Sequence, residues 1–158
     1  MVSQRNRIQE IRSGGQTGAD RAALDWAIGR GLPHGGWCPR GRLAEDGRLA
    51  RCYQLQETPS AGWSQRTRWN VRDSDGTLIV NLGRLEGGSL LTRRVATQLG
   101  RPCLVLQLDR GVEERPVAEL RAWLAKHRIR RLNVAGPRES KRPGIASVTR
   151  ELLDRAIG

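Results

Sequence analysis

Short apolar runs alternate with amphipathic, helix-forming segments along most of the chain. Residues 77–82 and 103–108 are almost continuously apolar, which is typical of parallel strands buried on both faces. Shorter runs over residues 8–12 and 130–135 predict two further strands. Helical periodicity predicts helices from the first glycine-rich turn to about residue 30, over residues 64–72, 90–99 and 145–156, and from Pro116 onward.

This order of elements predicts the fold class. Because strands alternate with helices, we expect an α/β fold with a mostly parallel sheet and helices on both faces. A chain of 158 residues is long enough for a full hydrophobic core, so residues 1–158 are predicted to form one domain. Right-handed crossovers then bring the strand-to-helix loops to a single edge of the sheet, where such folds bind ligands.

Glycine-rich turns stand at two of these strand-to-helix junctions. Residues 13–20 follow the first predicted strand, and residues 83–89 follow the strand at 77–82. Glycine lets a ligand approach the backbone closely, and the first N–H groups of a helix favour an anion. Ser89 could cap the second helix or donate to an oxyanion, with Thr92 one turn further on.

Two helix starts carry side chains that are suited to capping. Thr17 and Asp20 have the spacing of a capping box at the start of the first helix. Ser64 is predicted to cap the helix that ends near residue 72, with Trp69 and Val71 facing inward.

The last strand-to-helix loop, residues 136–144, carries Arg138, Lys141 and Arg142. Three cations in one loop indicate either a solvated basic surface or a place for a negative group, and the sequence favours neither. If the three loops meet, they predict an anion pocket, and its candidate residues are Gly14, Gly15, Gln16, Thr17, Gly18, Gly87, Gly88, Ser89, Thr92, Arg138 and Lys141.

Residues 31–62 form a long connection with little periodicity, which in a compact domain is often functional. A short strand is predicted at 36–39. Two basic and two acidic side chains follow closely, and the favoured interpretation is a solvated turn with ordinary surface charges: Arg40, Arg42, Glu45 and Asp46.

Composition narrows the classes of partner. Lys and Arg number 28 against 16 Asp and Glu, and the formal charge of +12 favours anionic partners. Lys126 and Lys141 are the only lysines, however, so part of this charge reflects an arginine-rich composition. Aromatic residues make up 4%, too few for interleaved base-stacking platforms, so nucleic acid is not the expected partner.

Cysteine and histidine positions give no metal-binding pattern. The three cysteines include no Cys-x-x-Cys pair, and His34 and His127 are isolated, so no directly ligated metal is predicted. The sequence shows neither a signal-peptide pattern nor a run of 18 apolar residues. We therefore expect a cytoplasmic protein without a membrane partner.

Five blocks of sequence, in order, resemble the molybdenum carrier protein family. They begin at Ser13 (SGGQTGADRAALD), Gly35 (GGWCPRGRLAEDG), Arg66 (RTRWNV, followed by SDGTLI), Gly87 (GGSLLT) and Leu132 (LNVAGPRES). Ser89 stands where the family pattern suggests Thr. The family is a circularly permuted branch of the Rossmann-like group that also holds the lonely-guy phosphoribohydrolases and the DNA-processing proteins.

The resemblance implies a Rossmann-like fold and a homo-oligomer, a dimer or tetramer. It also implies a carrier of molybdenum cofactor (molybdopterin), or a protein that binds a nucleotide, through a phosphate-bearing group. The alternative is an N-glycosidase acting on nucleoside monophosphates, as in the lonely-guy relatives. That chemistry needs carboxylates near the ribose, and the candidates are Asp20, Glu45 and Asp46. The helix at 90–99 lacks the glutamate of the lonely-guy pattern, which argues against hydrolysis.

Overall fold

The computed structural model describes residues 7–158. Its elements in chain order are β1 (Glu10–Arg12), α1 (Ala19–Gly29), β2 (His34–Gly35), β3 (Trp37–Cys38), β4 (Leu43–Ala44), β5 (Gly47–Arg48), β6 (Gln56–Glu57), α2 (Trp63–Arg72), β7 (Gly76–Asn81), α3 (Gly87–Gln98), β8 (Cys103–Gln107), α4 (Glu114–Lys126), β9 (Arg131–Ala135) and α5 (Ile145–Ala156).

The main sheet has five strands in the order β2-β1-β9-β7-β8, and every neighbouring pair is parallel. β9 lies at the centre, with Leu132 opposite Ile11 of β1 and Val134 opposite Leu78 of β7. The predicted parallel sheet is therefore confirmed. The predicted strand ends lie within about two residues of the observed ones, since short exposed ends carry little pattern.

Helices cover both faces of this sheet, as predicted. On one face, α1, α4 and α5 pack over a large apolar core that includes Leu120, Leu152 and Leu153. On the other face, α2 packs against α3 through a smaller cluster that contains Val71 and Val95. No helix within residues 7–158 combines the length and apolar character needed to cross a bilayer.

The topology leaves a cleft above the central strand. α1 follows β1 and leads toward one edge of the sheet, whereas α3 follows β7 and leads toward the other. The two helices lie on opposite faces, so their N-terminal ends diverge above β9. The chain thus runs from β1 toward one edge of the sheet and from β7 toward the other. Open α/β sheets bind ligands at the point where the strand order reverses in this way.

The predicted caps of two helices are wrong. Gly62 in an extended conformation precedes α2, which starts at Trp63, so Ser64 lies inside the helix and caps nothing. The capping box at α1 does not form because its two side chains are bonded elsewhere. The hydroxyl of Thr17 donates to Glu45, and the carboxylate of Asp20 accepts from Arg66.

α3 also starts earlier than predicted, at Gly87, since glycine at the first helical position hides the apolar periodicity. Ser89 therefore lies in the first turn and does not cap the helix.

Residues 31–62 are more ordered than their lack of periodicity suggests. β3 confirms the strand predicted at 36–39 and pairs in parallel with β6, while β4 and β5 form a hairpin with a two-residue turn. Leu49 and Leu55 bury their side chains against Leu24 of α1 and Cys38. The segment thus folds over the start of α1 as a small apolar layer of its own.

Candidate anion-binding cavity

A cavity of about 400 Å³ lies at the carboxyl ends of β1, β9 and β7. All three predicted strand-to-helix loops contribute to it, and α2 forms a further wall. Nine of the predicted site residues line it: Gly14, Gln16, Asp20, Gly87, Gly88, Ser89, Thr92, Arg138 and Lys141. Five others lie outside its lining: Gly15, Thr17, Gly18, Glu45 and Asp46.

The start of α3 forms one wall of the cavity. Glu86 precedes the helix with extended backbone, and its side chain does not cap the helix. The first N–H groups of a helix have no partner within it and carry partial positive charge. The space beside Gly88 is open, and the hydroxyl of Thr92 donates to the Gly88 carbonyl at 2.8 Å. The first turn therefore offers backbone donors to a group in the cavity.

Gln16 supplies an unpaired donor. Its Oε1 accepts hydrogen bonds from the backbone N–H groups of Thr17 at 3.0 Å and Glu45 at 2.9 Å. Because both partners are donors, the side-chain amide can be oriented in only one way. Gln16 is only 6% exposed, and its Nε2 is buried without an acceptor among the described residues. Buried polar groups are normally hydrogen-bonded, so this unpaired nitrogen makes Gln16, which lines the cavity, a candidate donor to a ligand.

Asp20 and Arg66 form a buried ion pair at the cavity wall. Oδ2 of Asp20 lies 3.1 Å from Nη1 of Arg66, and both side chains are at most 12% exposed. Burial raises the pKa of Asp20 above its ordinary value, and the charge of Arg66 together with the backbone N–H of Gln16 offsets part of this rise. The carboxylate depends on the guanidinium to remain charged.

Gly18 is required for packing between two loops. It has a φ of +82°, and a Cβ atom there would lie 2.7 Å from the backbone nitrogen of Glu139 and closer still to the Pro137 carbonyl. The first loop can approach residues 136–144 this closely only without a side chain. Gly15 faces the opposite way, against Leu49 and Leu55. These two predicted ligand-binding glycines therefore hold loops together outside the cavity lining.

Glu45 joins the first and last loops. Its carboxylate accepts hydrogen bonds from the hydroxyl of Thr17 and from the N–H and hydroxyl of Ser140, and it lies 3.2 Å from Nε of Arg138. The bonds from Ser140 and Thr17 lower its pKa.

Asp46 makes the neighbouring contact to the first loop. It pairs with Arg21, whose guanidinium also donates to the Gly15 carbonyl at 3.0 Å, and this pairing lowers the pKa of Asp46. For Glu45 and Asp46, the favoured interpretation as ordinary surface charges of a solvated turn is thus wrong, because the β4–β5 turn binds the loops that surround the cavity.

The cations of the last loop have carboxylate neighbours. Nζ of Lys141 lies 3.4 Å from Glu86, and Nη2 of Arg142 lies 3.1 Å from the same carboxylate. Lys141 is the main cause of a lowered pKa at Glu86, which also lines the cavity and is absent from the predicted site. Carboxylates of the protein itself therefore supply part of the negative charge that the cations of this loop need.

One face of α2 is the largest part of the lining that sequence reasoning missed. Trp63, Arg66, Thr67 and Asn70 all line the cavity, and they recur at intervals of three, one and three residues along the helix. That spacing places them on a single helix face. The signal was present in the sequence, but a polar helix face is normally assigned to solvent. Asn133 on β9 was missed for a similar reason, as a polar residue in a predicted buried strand.

Within residues 7–158, no three His, Cys, Asp or Glu side chains cluster as a metal site would require. The donors around the cavity are backbone amides, an amide side chain and cations, which suit an anion.

The fold is that of an α/β protein of the Rossmann-like type, with a cavity at the carboxyl edge of its sheet, where such folds bind ligands. Residues 11–157 match the circularly permutated YpsA SLOG family, so the chain belongs to that family. A crystal structure described as a putative molybdenum carrier protein from Syntrophus aciditrophicus SB is 52% identical. The likeness covers 96% of both chains with a TM-score of 0.93. No curated protein matches significantly.

Proposed function

We propose that this protein binds a small, phosphate-bearing ligand in the cavity and acts as a carrier of molybdenum cofactor or as a nucleotide-binding protein. One observation carries the proposal: the uncapped start of α3 and Gln16, whose Nε2 has no acceptor among the described residues, both line the same cavity. A phosphate accepts from helix N-terminal amides, and a further oxygen of the ligand would accept from Gln16.

The charges around the cavity support an anion. Arg138 and Lys141 line it, each with one carboxylate neighbour, while Arg66 is paired with Asp20. A bound phosphate would add negative charge beside Lys141 and the helix start, where the helix dipole favours it.

The cavity residues fit molybdenum cofactor through its organic part. Its phosphate would lie at the start of α3 near Lys141, and Gln16 would donate to an oxygen or nitrogen of the pterin. When bound, the cofactor supplies the molybdenum chemistry, and the chain holds and shields it. The name of the crystallised relative supports this choice of ligand.

An N-glycosidase is the second candidate, and the position of Asp20 favours it. Asp20 is the one nominated carboxylate that lines the cavity, and burial raises its pKa as an acid catalyst would require. Its pairing with Arg66 favours a structural role, and Glu45 and Asp46 are bound to the loops. Incubation with AMP or GMP, followed by chromatography for free base, tests turnover directly.

The binding test compares two glycine substitutions. Gly88→Asp places a carboxylate where the proposed phosphate lies, yet the space is open and an acidic residue suits the first helical turn. Gly29→Asp adds the same charge at an open, exposed position outside the cavity. Calorimetry with inorganic phosphate, AMP and GMP should show binding lost in Gly88→Asp and retained in Gly29→Asp.

Metal analysis and pterin fluorescence of the freshly purified protein separate the two ligands. Molybdenum and pterin that copurify with the wild type, and are missing from Gly88→Asp, identify the carrier. Equal affinities of both glycine variants for every phosphate probe would contradict the proposed site.

A further inference from the structure

We propose that Trp63 is the residue on which the planar ring of the ligand stacks, so that the cavity selects ring-bearing phosphate esters over bare oxyanions. This inference rests on the proposed function and adds to it the side chain that holds the ring of the ligand. The shared chemistry is a flat heterocycle joined to a phosphate, which nucleotides and pterin phosphates both have.

Trp63 is exposed where an indole normally would not be. Its exposed fraction is 48%, and Ile28 and Leu43 are the other large apolar residues that are exposed within residues 7–158. Trp63 alone of these three lines the cavity. An exposed aromatic side chain at a cavity wall is suited to hold a ligand ring, because a ring stacked on it removes apolar surface from water.

Arg66 holds the indole in place. Its guanidinium carbon lies 5.1 Å from the centroid of the Trp63 ring, within cation–π range, and Nη1 is fixed by the buried Asp20 carboxylate. A pre-positioned aromatic ring loses less conformational freedom when a ligand stacks on it.

The size of the cavity also favours more than a bare oxyanion. About 400 Å³ lies within the range of about 300–1,000 Å³ that is typical of pockets for small organic ligands. Phosphate or molybdate alone would leave most of this space empty. With a phosphate at the start of α3, the α2 wall that carries Trp63 remains for the rest of the ligand.

Trp63→Ala and Trp63→Phe test the stacking. Affinities are measured by calorimetry for AMP, GMP and a pterin monophosphate, and for ribose 5-phosphate and inorganic phosphate as ringless probes. Trp63→Ala should weaken binding of at least one ring-bearing probe by roughly 5- to 100-fold, the range for loss of one stacked base. The ringless probes should change by less than about twofold at a fixed phosphate contact, and Trp63→Phe should retain most of the affinity, since another aromatic face replaces the indole.

Ile28→Ala is the matched control, because it removes an exposed apolar side chain outside the cavity. It should leave every affinity unchanged. The AMP, GMP and pterin arms identify which ring the cavity prefers.

Two results would overturn the stacking role while the proposed function stands. One is an equal loss for ring-bearing and ringless probes in Trp63→Ala. The other is unchanged binding of every ring-bearing probe in Trp63→Ala, and an altered oligomeric state by light scattering would then make Trp63 an interface residue. Failure of the wild type to bind any probe would instead overturn the proposed function itself.

Discussion

The guanidinium of Arg66 occupies the space that a side chain on Gly14 would need. A Cβ atom placed on Gly14 would lie 2.8 Å from Cζ of Arg66 and would overlap Nη1. Gly14 lies two residues beyond the end of β1, and the absence of its side chain lets Arg66 of α2 reach across the cleft and pair with Asp20 on α1. The glycine therefore leaves the space that the ion pair needs.

The first prediction concerns this ion pair. Arg66→Met leaves the Asp20 carboxylate buried without its partner, which we expect to lower the free energy of unfolding at pH 7 by about 3–5 kcal/mol. Asp20→Asn in the Arg66→Met background should recover most of this loss, because the amide carries no charge. Urea denaturation of the four proteins in the cycle provides the measurement.

The same variant predicts a pH dependence. The pKa of Asp20 is already raised by burial, and loss of Arg66 raises it further. A carboxyl group with a raised folded-state pKa costs nothing below its unfolded pKa, and its cost grows as pH rises through the folded pKa. The stability difference between wild type and Arg66→Met should therefore widen from pH 4 to pH 8, on the order of a few kcal/mol. A difference independent of pH would contradict this account.

The second prediction concerns the contact between the first and last loops. Gly18→Ala should destabilise the protein by about 2 kcal/mol or more, because its φ of +82° suits only glycine and the new Cβ meets backbone atoms. Gly88→Ala has open space and no unusual φ, so we expect it to be neutral or slightly stabilising. Urea denaturation midpoints compare the two, and similar midpoints would rule out the close approach.

The third prediction concerns the clamp formed by Glu45. Glu45→Ala should increase amide exchange of Ser140 roughly tenfold, since a lost hydrogen bond to a charged group is worth about 1.5 kcal/mol or more. Asp46→Ala is the control, because Asp46 pairs with Arg21 and does not contact the last loop. Hydrogen exchange by NMR measures the exchange rate of the Ser140 amide in both variants, and Asp46→Ala should leave that rate unchanged.

The contact that Glu45 makes between the first and last loops should also depend on pH. Its pKa is lowered by the bonds from Ser140 and Thr17, so the stabilisation is present above the unfolded pKa and is lost as pH falls through the folded pKa. In Glu45→Ala this acid-dependent loss of loop protection should be absent. Equal acid dependence in both proteins would show that another group is responsible.

The fourth prediction isolates the unpaired donor of Gln16. Gln16→Glu keeps an oxygen for the N–H groups of Thr17 and Glu45 but replaces the buried Nε2 with a second oxygen. We expect at least tenfold weaker binding of AMP and GMP, because the donor is lost and a like charge faces the ligand. Far-ultraviolet circular dichroism checks that the fold is retained. Wild-type affinity in Gln16→Glu would exclude Gln16 as a ligand contact.

The sequence predicted most of the fold because the signals were local. Runs such as residues 77–82 and 103–108 are apolar on both faces, and glycine marks the turns between strands and helices. The cap at Thr17 could not be predicted, since Glu45, a partner distant in sequence, accepts from its hydroxyl. The predicted cap at Ser64 is wrong because α2 begins one residue earlier, at Trp63.

The site was predicted only as far as loops define it. Strand-to-helix loops meet by topology alone, so Gly14, Gly88 and Lys141 could be brought together from the order of elements. Trp63 and Arg66 lie on a helix whose position depends on how α2 packs against α3, and no local pattern specifies that contact. A helix with a polar, aromatic face could have been examined as a cavity wall.

The position of β9 has a consequence for biosynthesis. This strand joins the β1 and β7 halves of the sheet, yet among the strands within residues 7–158 it is synthesised last. The loops that surround the cavity thus cannot come together on a nascent chain that stops short of residue 135. A translation product truncated before residue 135 therefore has no assembled cavity, and we expect it to bind none of the proposed ligands.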